Sequence, residues 1–338
     1  MVRLRLSFDL RRPPFTKAST SELASTMLDI LGWADNLDFD LTYFGEHHSS
    51  EDGYLPSPLA ACAATAGRTS RIRFRPILLT PLYHPVRLAE DIAVIDLLSG
   101  GRMSPVFAAG YRAEEFDLFG VNRSERKDRL IEAVRVCKAA WTGEPFEFED
   151  RTVTVTPTPA QQPRPPIILG ATAEVSARRA AHIADGFDPG DPRVWDFYRD
   201  ECSVVGRPDP GPWVPRGPTF LYVTHDPERA WAHVGPNLLH AANMYARWIA
   251  ASEQRDSAWY PPISSTEELR DGGAYQIVTP EQCIEIARGL GEDGHLILRP
   301  LFGGTEPSAA WESLELFASE VLPQLKVTSH TDADGEPH

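Results

Sequence analysis

Three consecutive side chains able to move protons, Glu46-His47-His48, follow an apolar run that ends at Phe44 and Gly45. An imidazole titrates close to neutral pH and suits general acid–base work. Neighbouring residues on an extended chain point to opposite sides. His47 and His48 therefore do not both reach one metal ion, and no metal is expected here. One imidazole should face a site while the other packs or faces a loop. A pair merely hydrogen-bonded within a loop is the alternative, and these residues alone leave it open.

Two further segments bring small residues to a place where chemistry could sit. Phe107-Ala108-Ala109-Gly110-Tyr111 would let backbone N–H groups approach a ligand, or would simply pack a tight turn. Ile168-Leu169-Gly170-Ala171-Thr172 runs into a helix whose free N–H groups and dipole suit an anion, unless Thr172 merely caps that helix. No dinucleotide-binding glycine fingerprint, phosphate loop, zincin motif or nucleophile elbow occurs.

The elements that must position these residues alternate in type. Val2 to Phe8 has period two and reads as a strand, and Ser21 to Leu37 has helical spacing. Strands follow at Asp40 to Phe44, Ile72 to Leu79, Arg102 to Ala108, Pro166 to Leu169, Gly186 to Asp188, Thr219 to Thr224 and His295 to Arg299. Helices are expected at Pro58 to Arg68, His84 to Leu98, Glu125 to Trp141, Glu174 to Ile183, from Pro227 onward, and at Trp311 to Leu325. Pro85 opens one of them and Gly100-Gly101 follows its end. Phe146 to Val155, centred on Glu149-Asp150, reads as an inserted hairpin. Strands alternating with helices imply a parallel sheet, and eight such units imply an α/β fold of the (β/α)8 TIM-barrel type. Residues 1–326 form the single domain. Within it, 251–275 lack a clear period and read as a lid inserted between the seventh and eighth strands, and 327–338 form a disordered tail. In such a barrel the carboxyl ends of the strands carry the site, which is where Glu46, Gly110 and Gly170 fall.

Composition narrows the partners. The 338 residues are 42% apolar and 24% charged, with a formal net charge of −15. That balance argues against nucleic acid and anionic membranes, which need a basic footprint. No apolar run approaches a membrane span, and the charged first strand does not read as a signal peptide. Cys62, Cys137, Cys202 and Cys283 lie far apart with no metal or disulfide spacing, which fits a reducing cytoplasm.

Several segments, taken in order, resemble the luciferase-like flavin monooxygenases, the family that includes bacterial luciferase. They are Phe44-Gly45-Glu46-His47-His48, Thr80-Pro81-Leu82-Tyr83-His84-Pro85-Val86-Arg87-Leu88-Ala89-Glu90-Asp91, Asp96-Leu97-Leu98-Ser99-Gly100-Gly101-Arg102, Gly110-Tyr111 with Glu115-Phe116 and Phe119-Gly120, Pro165-Pro166-Ile167, and Thr279-Pro280-Glu281-Gln282-Cys283. The resemblance implies reduced FMN delivered by a separate flavin reductase, and oxygenation of a small organic substrate by O2 through a C4a-peroxyflavin. It puts the catalytic imidazole at His47, with Glu46 orienting it, and the flavin ring over Pro76 and Ile77, where the family often has a non-prolyl cis peptide. It puts the phosphate region at Ala108, Ala109, Gly110, Gly170, Ala171, Thr172 and Ser176.

The sequence departs from the family at two places. Ala109 stands where many relatives carry a phosphate-binding arginine, with Arg112 the nearest replacement, and the third strand reads Phe74-Arg75-Pro76 instead of small residues. Deazaflavin F420 used as a hydride carrier on the same fold, and a non-catalytic flavin-binding subunit, are the competing readings. Family dimers pair through the helices that correspond to Pro58–Arg68 and His84–Leu98. Tyr245, Trp248, Trp259, Tyr260 and Tyr275, near the lid, suggest an apolar or aromatic substrate or else pack the lid itself.

Overall fold

The computed structural model describes residues 2–252 and 261–325. In chain order the elements are β1 (Arg3–Phe8), α1 (Thr20–Ala34), β2 (Phe39–Phe44), α2 (Pro58–Arg68), β3 (Arg73–Leu79), α3 (Pro85–Ser99), β4 (Val106–Ala108), α4 (Ala113–Phe119) and α5 (Arg126–Ala140). Then follow β5 (Phe146–Phe148), β6 (Arg151–Val153), β7 (Ile168–Ala171), α6 (Glu174–Ile183), β8 (Gly186–Pro189), α7 (Trp195–Val204), β9 (Phe220–Val223) and α8 (Pro227–Ala250). The chain ends with α9 (Thr266–Asp271), β10 (Tyr275–Val278), α10 (Pro280–Gly289), β11 (His295–Leu298) and α11 (Pro307–Leu316).

Local signals account for much of this. Pro85 occupies the first turn of α3, and Gly100 closes it in the left-handed conformation (φ 67°). Glu149 and Asp150 take positive φ (47° and 58°) between β5 and β6, which turns that hairpin tightly. Serine and glutamate form a capping box at Ser19 and Glu22, as do Thr279 and Gln282 at the start of α10. The helices α4, α7, α9 and α10 were not anticipated. α4 and α9 are short, seven and six residues, while α7 and α10 have ten each.

Seven strands form one parallel, barrel-like sheet in the order β11-β1-β2-β3-β4-β7-β8. Its two edges approach each other around Arg216. On one side Arg216 bridges His295, with Gly217 N–H donating to the His295 carbonyl and His295 N–H to the Pro215 carbonyl, each at 2.9 Å. On the other side the Arg216 guanidinium reaches Asp188 of β8 at 2.6 Å. The sequence put the seventh barrel strand at 219–224. Instead β9 pairs in parallel with β10 in a separate two-stranded sheet. The reason is apolar: Phe220, Tyr222, Tyr275 and Ile277 close a second core against Trp231 and Leu238 of α8. The expected lid is covered only in part. Of 251–275, the described part holds α9 and runs into β10, while 253–260, with Trp259 and Tyr260, lie outside the described residues, as does the tail 327–338.

Strand alternation sorts inside from outside. Leu4, Leu6 and Phe8 of β1, with Phe74 and Leu78 of β3, join the main core beneath the helices. Leu41, Tyr43 and Ile297, with Ile77 against them, form a small cluster on the opposite, lumen face. Pro76 therefore sits on the helix side of β3, and only Ile77 faces the lumen. The cis bonds of the described residues lie at Thr156–Pro157 and Gln162–Pro163, so the cis peptide expected at Pro76–Ile77 is absent there. Arginines also enter the lumen. Arg5 donates to the Tyr43 hydroxyl (2.9 Å), and Arg75 donates to Ser104 (3.1 Å) and pairs with Asp188 (3.6 Å).

Candidate active site at the strand ends

The chain leaves β2 through Gly45 and delivers Glu46, His47 and His48 to the carboxyl end of the sheet, all three buried. The two imidazoles diverge, as backbone alternation requires. His47 Nδ1 lies 2.8 Å from Glu115 Oε1, and His48 Nε2 lies 3.0 Å from Glu46 Oε1. The expected pairing of Glu46 with His47 is thus corrected. Glu46 holds His48, accepts from the Tyr83 hydroxyl (2.6 Å), and accepts the Leu79 N–H (2.6 Å) that ends β3. Its place is to fix the exit of β3.

Glu115, on α4, is the partner of His47. Its Oε1 also accepts the His48 N–H (3.0 Å) and Arg112 (3.3 Å), while Arg112 donates to the His48 carbonyl as well (2.8 Å). An oxygen that only accepts makes Nδ1 the protonated nitrogen. Nε2 then carries the lone pair, and it has no hydrogen-bond partner among the described residues. Burial pushes the His47 imidazole below its usual range. Glu115 pulls it up, but Arg11 and Arg112 push it down again, so the ring is neutral at pH 7.

Aromatic rings wall this imidazole. Tyr54, Tyr111, Tyr245 and Trp248 lie 4.6–6.1 Å from it, centroid to centroid. The indole of Trp248, from α8, sits between two guanidiniums, Arg11 at 4.5 Å and Arg112 at 4.2 Å. Arg11 is fully buried and paired with Asp52 at 2.6 Å. Tyr245 and Trp248 therefore do pack, against Arg11 and His47, whereas Tyr275 belongs to the second core.

The other half of the rim is bare. Ala108, Ala109 and Gly110 at the end of β4, and Gly170 and Ala171 at the end of β7, are half-buried, and Thr172 is exposed. Thr172 does not cap α6. Ala173 is the cap residue and makes no side-chain bond to the helix start. Ser176 lies one turn in, within 3.5 Å of Arg179. Arg112 is committed to His48 and Glu115, so it does not replace the missing arginine at Ala109. No group of three His, Cys, Asp or Glu side chains among the described residues is placed to hold a metal.

Sequence reasoning gave no site role to Glu115, Arg11 or Tyr54, and considered Arg112 only for the cofactor phosphate. The i, i+3 spacing of Arg112 and Glu115 was a visible signal of an ion pair. Nothing local joined it to a histidine 68 positions away.

The profile of the luciferase-like monooxygenases matches residues 9–293. The chain belongs to the luciferase-like monooxygenase family. Among its relatives, limonene 1,2-monooxygenase of Rhodococcus erythropolis is 26% identical over 323 residues, covering 88% of this chain and 80% of that one. An uncharacterized protein of Sinorhizobium fredii, y4vJ, is 32% identical over 148 residues, and the match spans under half of each chain (42%). An F420-dependent glucose-6-phosphate dehydrogenase of Nakamurella multipartita is 30% identical over 54% of this chain and 58% of that one. In structure, the oxygenating constituent of 3,6-diketocamphane monooxygenase from Pseudomonas putida, solved with FMN, superposes with a TM-score of 0.73. It does so over 96% of this chain and 98% of that one, at 18% identity, a likeness of fold. Among the described residues no helix is long and apolar enough to cross a membrane.

Proposed function

We propose that this chain is the oxygenase component of a two-component flavin monooxygenase, taking reduced FMN from a separate reductase and using O2 to oxygenate a small organic substrate. The observation that carries the reading is the His47–Glu115 pair, which leaves a neutral imidazole whose acceptor nitrogen has no partner among the described residues, inside an aromatic wall.

The residues present fit a flavin. Ala108, Ala109, Gly110, Gly170 and Ala171 put no side chain larger than a methyl group at these strand ends, as a flat ring lying against them would need, and the uncapped start of α6, with Thr172 and Ser176, suits a phosphate. The flavin supplies the redox chemistry with oxygen. His47 Nε2 accepts a proton from, or returns one to, the reacting centre. Glu115 holds the ring in that tautomer, and Tyr54, Tyr245 and Trp248 keep water away from it. Glu46 fixes the β3 exit that borders the ring.

A homodimer through α2 and α3 fits the surface. Ala60, Ala64 and Gly67 line an exposed, closely approachable face of α2, and Val94, Leu97 and Leu98 expose apolar area on α3. Four buried, unpaired cysteines fit a cytoplasmic setting.

The F420-dependent relative favours a second reading, hydride transfer from reduced F420 without oxygen. An anaerobic absorbance titration with each reduced cofactor separates the two. Saturable binding of reduced FMN is expected, and exclusive binding of reduced F420 would overturn the oxygenase reading.

A further inference from the structure

Strand alternation points the side chain of Arg299, one step past β11, to the lumen side, two positions beyond Ile297 of the inner cluster. The other lumen arginines are paired: Arg5 with Asp40, and Arg75 and Arg216 with Asp188. Arg299 is not. Its half-buried guanidinium has no ion pair or side-chain hydrogen bond among the described residues, and its Nε is buried with no acceptor. Its guanidinium lies over the Phe302 ring, at 5.6 Å, which faces the cation without offering an oxygen acceptor.

Among the described residues no side chain accepts from Arg299, and the sheet register adds one more donor. Leu6 pairs with Leu298, so the parallel register sets Ser7 beside Arg299. Ser7 is half-buried on the lumen face, opposite Leu6 and Phe8. The next lumen-side carboxyl on this strand, Asp9, is turned to the N–H groups of Arg11 (3.2 Å) and Gly303 (3.4 Å). With Asp40 and Asp188 already facing three arginines, Arg299 leaves the lumen positive inside a chain of net charge −15. A positive hollow in an acidic protein attracts and orients an anion.

We propose that Arg299, with Ser7 beside it, is the subsite for a carboxylate on the organic substrate. A guanidinium fork takes a carboxylate through two parallel hydrogen bonds, and the serine hydroxyl adds a third donor. The cofactor phosphate is the other anion to consider. Its expected place is β7 and the start of α6, whereas Arg299 follows β11. Calling the carboxylate the substrate's rests on the flavin reading above.

Calorimetric titration of the full chain with benzoate and with its neutral isostere benzamide tests this. The wild type is expected to bind benzoate about tenfold or more tightly than benzamide, as charge-assisted bonds require. Arg299→Met should abolish that preference and leave benzamide and the melting temperature unchanged, while Arg299→Lys should keep part of it. Equal affinity for the two probes, no benzoate binding at millimolar concentration, or full benzoate affinity in Arg299→Met would each overturn the proposal. A parallel titration with FMN and riboflavin separates the two sources of anion. If Arg299→Met weakened FMN but not riboflavin, the arginine would serve the cofactor phosphate and the substrate subsite would fall. If neither flavin bound while the benzoate preference still depended on Arg299, the flavin reading would fail and the anion subsite would stand.

Discussion

The two halves of the rim are built by opposite means. On the β1–β2 side, side chains do everything: Glu115, Arg112, Arg11 and Trp248 lock one imidazole through hydrogen bonds, an ion pair and stacked cations. On the β4–β7 side small residues do the work, with alanine and glycine at the strand ends and a helix start that no side chain caps. The first half pays for its precision in buried charge, which holds only while every partner is present. The second half loses function when something is added. Removal should therefore damage one side, and addition the other.

Removing the imidazole should have the largest effect. His47→Ala is expected to cut product formation by roughly 10²–10⁴, the range proton-transfer catalysis contributes. It should leave reduced-flavin binding in the absorbance titration intact. Wild-type turnover would take His47 out of the mechanism.

Removing its partner comes next. Glu115→Ala strands Arg112 and His47 and should cost about 3–5 kcal/mol of stability in denaturant unfolding. The milder Glu115→Gln should fold and shift the acidic limb of the rate profile to lower pH, because the carboxylate is what raises the His47 imidazole. An unmoved limb would show that the pair is only structural.

Addition on the bare side should be smaller in energy but aimed at the cofactor. A β-carbon at Gly170 would lie 2.7 Å from Val106 Cγ1. Gly170→Val should therefore cost about 1–3 kcal/mol of packing and weaken reduced-flavin binding, with the acidic limb of the profile unchanged. A shifted limb would mean that the two halves are coupled.

The smallest effect reports on the lumen beneath both halves. Burial, then the positive charges of Arg5 and Arg216, holds His295 down at about 3, against an ordinary value of 6.5. The unfolded chain takes up that proton as pH falls through 6.5, and the folded chain does not until about 3. The stability from the neutral ring is therefore complete above pH 6.5 and declines as pH drops toward 3. Melting curves at pH 7 and pH 5 should fall less steeply for His295→Gln than for the wild type. Parallel slopes would show that the ring is not held neutral.

Much of the scaffold was legible because it rests on local rules. The period-two strand at β1, the Pro85 and Gly100 ends of α3, and the Glu149-Asp150 turn each fix their element with nearby residues. The divergence of His47 and His48 followed from backbone alternation alone. The identity of their partners did not, since Glu46 and Glu115 are both carboxylates within the quoted motifs, and only packing decides which reaches which ring.

What the chain's order of residues determined was the alternation of strand and helix, the placement of Glu46-His47-His48, Ala108–Gly110 and Gly170–Thr172 at strand ends, and the family. Those depend on periodicity, caps and short motifs, which act over a few residues. The tertiary structure alone decided that Glu115 serves His47, that β9 turns to β10 and not into the main sheet, that Trp248 lies between two arginines, and that Arg299 has no ion pair among the described residues. These are contacts between distant segments, set by which apolar faces close on each other and which buried charges find a counter-charge, and no local pattern encodes them.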